Sequence, residues 1–141
     1  MLRLFSLCFV AFLTASSFSP VKDEPKASGI QFTEARWADI LKKAKVENKV
    51  IFLDAYASWC GPCKMLQKQV FTQKSVGEYF NKRFINVKID MEKGEGPALA
   101  QLYPLEAYPT LMFINGNGRV VKKAIGYMTA EDLIDTGKSV K

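Results

Sequence analysis

The residues with the clearest chemical promise are Cys60 and Cys63, in the segment Trp59-Cys60-Gly61-Pro62-Cys63-Lys64. The run before them, Lys49-Val50-Ile51-Phe52-Leu53, is apolar and β-branched and reads as a strand buried on both faces. The stretch after them reads as a helix from Cys60 to Phe71. The two thiols therefore stand where a strand hands over to a helix. Helix N-termini carry partial positive charge and unpaired N–H groups. An anion there gains roughly 0.3–1 kcal/mol, and about 2 kcal/mol when partly buried. At about 1.36 kcal/mol per pKa unit, this lowers a thiol by as much as about one and a half units. A thiol of pKa about 8.5 is about 3% ionised at pH 7, and one of about 7 is half ionised. The reactive thiolate rises roughly fifteenfold, against some loss of intrinsic nucleophilicity. The three-residue offset puts both sulfurs on one face of the first turn. Cys60, at the helix start, is expected as the exposed nucleophile. Cys63, one turn in, is the shielded thiol that resolves a mixed disulfide. Pro62 is tolerated in a first turn because its missing N–H has no partner there, and Gly61 lets a substrate backbone approach closely.

Two competing readings of the pair are open. Structural zinc needs four ligands, commonly two CxxC pairs or one pair with histidines. The 141 residues include three cysteines and no histidine, so zinc would have to bridge two chains. A permanent structural disulfide is the other reading, but so small a loop gains little stability from closure. The absence of histidine also removes Ser-His-Asp triads, Cys-His dyads and His-ligated metal sites. The net charge of +6 raises nucleic-acid binding. However, the basic residues are scattered (Lys42-Lys43, Lys64, Lys68, Lys82-Arg83, Lys88, Lys122-Lys123) with acids between them, which is the pattern of a solvated surface. No nucleic-acid partner and no metal are expected.

Around the pair, helix and strand signals alternate. Thr33 can cap a helix carrying Trp37, Ile40, Leu41 and Ala44 at i, i+3, i+4, i+7 spacing. A helical piece spans 75–82, and Phe84–Asp90 alternates as a strand. Pro97–Tyr103 suits a short helix with proline in its first turn. Strands over 110–114 and 119–125 flank Asn115-Gly116-Asn117-Gly118, a hairpin signal. Thr129 opens a last helix, with Asp132 three residues on. The order α-β-α-β-α-β-β-α predicts an α/β domain with a mixed central sheet of about four to five strands and helices on both faces.

The N-terminus reads as an address. Met-Leu-Arg precedes an apolar run from Leu4 to Leu13 and then the small residues Ala15, Ser17 and Ser19, the pattern of a secretory signal peptide over residues 1–19. The run is about half the roughly 20 residues that span a bilayer, so cleavage is favoured over a membrane anchor, and no stable membrane insertion is expected afterwards. Cys8 is lost with the signal, and the net charge falls from +6 to +5 with the loss of Arg3. Residues 20–30 read as a linker and 31–141 as the domain.

Ala57-Ser58-Trp59-Cys60-Gly61-Pro62-Cys63-Lys64 resembles the active-site segment of the thioredoxins, and the further matches occur in the family's order. Asp54 stands at the position of the family's buried acid, Tyr108-Pro109-Thr110 resembles the segment carrying its cis-proline, and Gly126 matches the glycine after its last strand. The resemblance covers residues 31–139 and implies a thioredoxin fold. It casts Cys60 as the attacking thiol, Cys63 as the resolving thiol and Asp54 as the proton acceptor beneath the helix. Trp59, Gly61, Pro62, Tyr108 and Pro109 become the apolar shelf for substrate peptide. Taken on its residues alone, a carboxylate ending an apolar strand is partly buried with a raised pKa, or it is a solvated strand end or a capping contact. For Pro109 the alternative is a trans proline opening a strand, and for Trp59 a core aromatic.

The chain departs from the thioredoxin pattern at three places. Asn86 replaces the lysine that many thioredoxins pair with the buried acid. The second helix lacks its usual proline. The loop Glu92-Lys93-Gly94-Glu95-Gly96-Pro97 is longer and richer in glycine. The residues after the cysteines are similar to those of secreted thioredoxin-like proteins, among them the C-terminal domain of the membrane electron transporter DsbD. The resemblance implies a periplasmic or secreted thiol:disulfide oxidoreductase acting on protein disulfides, with no cofactor and a membrane electron donor of the DsbD type. The Gly-Pro dipeptide resembles the reducing members. A net oxidase or isomerase and a non-catalytic binding module are the alternatives.

Overall fold

The computed structural model describes residues 28–141; the signal reading, most of the linker and Cys8 lie outside the described residues. The element order is α1 (Trp37–Glu47), β1 (Val50–Tyr56), α2 (Gly61–Met65), a π-helical turn (Leu66–Val70), α3 (Lys74–Arg83), β2 (Phe84–Asp90), α4 (Gly96–Leu102), β3 (Thr110–Ile114), β4 (Val120–Ile125) and α5 (Ala130–Lys138). Four strands form one sheet in the order β2-β1-β3-β4. β1 and β2 run parallel, whereas β3 is antiparallel to β1 and β4 to β3, with an irregularity at Phe113/Ile114. This is the mixed sheet expected, at the lower strand count.

Successive residues of β1 point to opposite faces. Ile51, Leu53 and Ala55 join a core with Trp37, Ile40 and Ala44 of α1 and Leu99 of α4. Phe52 faces the other way, into a core with Leu66, Val70, Phe80, Phe113 and Leu133. The rings of Phe52 and Phe80 meet nearly edge to face at 4.7 Å. By the same alternation Asp54 shares the Phe52 face, beneath the segment that begins at the cysteines.

Three local readings are corrected. Thr33 does not cap α1. The helix starts at Trp37, Arg36 makes no side-chain cap, and the Trp37 N–H instead donates to Glu95 Oε2 at 2.9 Å. The backbone N–H of Thr33 donates to the Asn86 carbonyl, while the Ile30 N–H reaches the Phe71 carbonyl. Thr33 is thus drawn to the open edge of β2, whose backbone groups need partners, while Ile30 is held at the end of the π-helical turn. β1 extends past Leu53 to Tyr56, because Asp54, Ala55 and Tyr56 still have register partners in β2. The helix expected over 60–71 gives way after Met65 to the π-helical turn. The other elements fall within a residue of expectation. Thr129 caps α5 by accepting the Asp132 N–H at 3.2 Å.

Candidate active site

Cys60 is the N-cap residue of α2, with extended backbone (φ −72°, ψ 114°), and its Sγ accepts the Cys63 N–H at 3.2 Å. One of the unpaired donors of the helix start is therefore aimed at the sulfur. Pro62 sits in the first turn, where it lacks only a donor that would have no helical partner. Cys60 and Cys63 are joined as a disulfide, with Cα atoms 5.3 Å apart. The expectation of an exposed Cys60 is corrected for this oxidised state: Cys60 is 3% exposed and Cys63 1%. The bond ties the Cys60 sulfur toward the helix, and Ala57, Tyr56 and Tyr108 pack around the pair. In the disulfide both sulfurs are buried, so exposure does not distinguish the two cysteines.

Asp54 is fully buried. Its Oδ2 accepts Gln67 Nε2 at 3.2 Å, and its Oδ1 has no partner. Burial pushes its carboxyl from an ordinary 3.8 up to about 7, opposed by the Gln67 hydrogen bond and the charge of Lys88. A carboxyl of that pKa exchanges a proton readily near neutrality. The solvated-strand-end reading of Asp54 is thereby set aside. Gln67 went unread in the sequence, although it lies four residues beyond Cys63 and seven beyond Cys60, on their side of the helix. Lys88, not Asn86, is in register with Asp54. Asn86 lies opposite Phe52 and donates to Asn81 Oδ1 at 3.1 Å.

Trp59 is 67% exposed, a rim residue and not a core aromatic. Its ring meets Tyr108 edge to face at 5.8 Å, and its Nε1 donates to Glu92 Oε2 at 2.8 Å. The Tyr108–Pro109 bond is cis. The Pro109 carbonyl accepts the Gly126 N–H at 2.8 Å, and Gly126 has φ +92°, a conformation open to glycine at little cost. Thr110 is buried beside them and donates Oγ1 to the Ala107 carbonyl at 2.7 Å. Space around the Gly61 Cα is open. The structure thus brings Trp59, Tyr108 and the cysteines together. Among the described residues no cluster of three or more His, Cys, Asp or Glu could hold a metal ion.

Residues 37–141 match the thioredoxin-like domain family. The chain belongs to that family. This thioredoxin-like protein is 31% identical to thioredoxin of Mycoplasma genitalium over 103 residues, covering 73% of this chain and 94% of that one. Among solved structures it is similar to a candidate disulphide-isomerase from Bacteroides thetaiotaomicron, at 48% identity and TM-score 0.70, over 80% of this chain and 93% of that one. The oxidised DsbD C-terminal domain of Neisseria meningitidis shares its fold at 24% identity and TM-score 0.62, over 74% of this chain and 91% of that one. With its cysteine pair in a disulfide, this thioredoxin-like protein is a thiol:disulfide oxidoreductase.

Proposed function

We propose that the protein is an exported thiol:disulfide oxidoreductase that reduces or rearranges disulfides in other proteins. The observation that carries this reading is the Cys60 sulfur at a helix start, accepting the Cys63 N–H, with a buried carboxyl of raised pKa on the same side of the sheet. In the reduced protein the Cys60 thiolate attacks a substrate disulfide. A Cys60–substrate disulfide forms, and one substrate thiolate leaves and takes a proton from water. Cys63 then gives its proton to Asp54 and attacks the Cys60 sulfur. The Cys60–Cys63 disulfide forms, the second substrate sulfur leaves as a thiolate and takes a proton from water, and two electrons have passed to the substrate. Trp59, Gly61, Pro62, Tyr108 and Pro109 form the shelf for the substrate peptide. Asp54 leaves the cycle when its proton passes to solvent.

The signal-like segment over residues 1–19 supports a periplasmic or secreted site of action. There the disulfide needs a donor of two electrons, which a membrane electron donor of the DsbD type would supply. The Gly-Pro dipeptide and the lack of a histidine between the cysteines support the reducing direction. Rearrangement stays as the second reading, favoured by the 48% identity to the candidate disulphide-isomerase. Insulin reduction with dithiothreitol tests the activity: Cys60→Ser is expected to abolish turnover while the circular dichroism stays native, and turnover at the wild-type rate would remove Cys60 from the mechanism. Titrating the pair against glutathione tests direction. A potential near thioredoxin's, about −270 mV, supports reduction, and one near about −120 mV supports net oxidation. A pair inert to glutathione would leave a binding module.

A further inference from the structure

The loop that sets this sequence apart from the thioredoxin pattern, between β2 and α4, touches the active-site loop at consecutive residues. Glu92 Oε2 accepts the Trp59 indole N–H at 2.8 Å, and Lys93 Nζ donates to Ser58 Oγ at 2.8 Å. The loop is itself tied down at each step. Asp90 Oδ1 accepts the Glu92 N–H at 3.1 Å, and its Oδ2 lies 3.6 Å from Lys93 Nζ. The Met91 N–H reaches the Tyr56 carbonyl at 2.8 Å, and Glu95 holds the start of α1 through the Trp37 N–H. A Cβ on Gly96 would strike the Asp90 carbonyl oxygen, so the loop closes on itself without slack. Trp59 is largely exposed, and its ring also meets the Tyr108 ring edge to face.

We propose that Glu92 is a positioning residue: through the Trp59 indole it holds that ring against Tyr108, so that a substrate peptide meets a shelf already in its binding shape. This rests on the proposed disulfide exchange at the same site and adds to it a determinant of substrate affinity. A free indole of this size samples several rotamers, and fixing it before binding spares that ordering when substrate arrives. Binding to the peptide therefore changes with Glu92, while the sulfur chemistry at Cys60 does not.

The test uses the reduced protein in single-turnover reactions across a range of insulin concentrations, with Glu92→Leu and Glu92→Gln beside the wild type. Glu92→Leu removes the acceptor and is expected to raise the half-saturating insulin concentration about three- to tenfold, at an unchanged limiting rate. Glu92→Gln keeps an amide oxygen for the indole and is expected to stay within about twofold of wild type. The Trp59 indole N–H resonance should move in Glu92→Leu and hold its place in Glu92→Gln. Unchanged half-saturation in Glu92→Leu would overturn the proposal, as would an equal rise in both variants, which would make the charge and not the held ring the cause. If the wild type itself failed to reduce insulin, the proposed exchange reaction would fall first. A working wild type with indifferent variants would sink the positioning role alone.

Discussion

At the scale of single residues, the protonation of Asp54 decides how the second thiol is activated. Its folded pKa, about 7, stands above the ordinary 3.8, chiefly through burial. The folded state therefore holds a proton that the unfolded chain releases. Stability from this group is complete below about pH 4, falls as pH rises through the window, and is lost above about 7. The corresponding cost is at most about 4 kcal/mol. Asp54→Asn is expected to be more stable than wild type at pH 8, by up to that amount, and nearly equal at pH 4. Urea unfolding of the reduced proteins at the two pH values measures it. The same variant should accumulate the Cys60–substrate disulfide, because Cys63 has lost its proton acceptor; gel analysis of quenched reactions reads this directly. Gln67→Leu removes the donor that favours the ionised carboxylate. Its pH profile for release of the mixed disulfide is expected to shift to higher pH, and an unshifted profile would deny Gln67 a part in tuning the acid. The cysteines and Asp54 were legible because each sits at a marked place in a local pattern. Gln67 was half legible, since helical spacing puts it on the cysteine side but does not say what it meets. Glu92 was not legible, because its partner lies 33 residues away and only the folded loop brings them together.

Elements carry the next layer. The site depends on β1 and the helical segment after it keeping their relation, and the aromatic core under that segment sets the relation. Phe52, Phe80 and Phe113 are fully buried and in mutual ring contact. Phe80→Ala is expected to cost about 3–5 kcal/mol, measured by urea unfolding, because the neighbouring rings fill the cavity only in part. Thr129→Ala removes the cap of α5 and is expected to cost about 1 kcal/mol. Strands β2 and β3 could be read to the residue, since alternation or a short apolar run stops at a turn signal in each case. The start of α1 could not. Thr33 has the right chemistry for a cap, but the edge of β2 claims its backbone and a carboxylate from a distant loop takes over the helix start. The π-helical turn was equally hidden, because no proline or glycine marks residues 66–70.

On the scale of the whole molecule, helices cover both faces of a four-stranded sheet, and the reactive pair follows the C-terminal end of β1, one of its two inner strands. Such a domain positions a reactive sulfur, and the compartment then decides which disulfides it meets. If residues 1–19 act as a signal, the mature N-terminus should fall after residue 15 to 20, and expression with cell fractionation and N-terminal sequencing should recover that form outside the cytosol. An uncleaved chain in the cytosolic fraction would contradict export and leave the exchange chemistry intact. The central claim is that the helix start makes Cys60 acidic. The rate of iodoacetamide alkylation of the reduced protein at that residue, followed against pH, tests it most directly. The expected midpoint is near about pH 7. A midpoint at about 8.5, that of a free thiol, would contradict it.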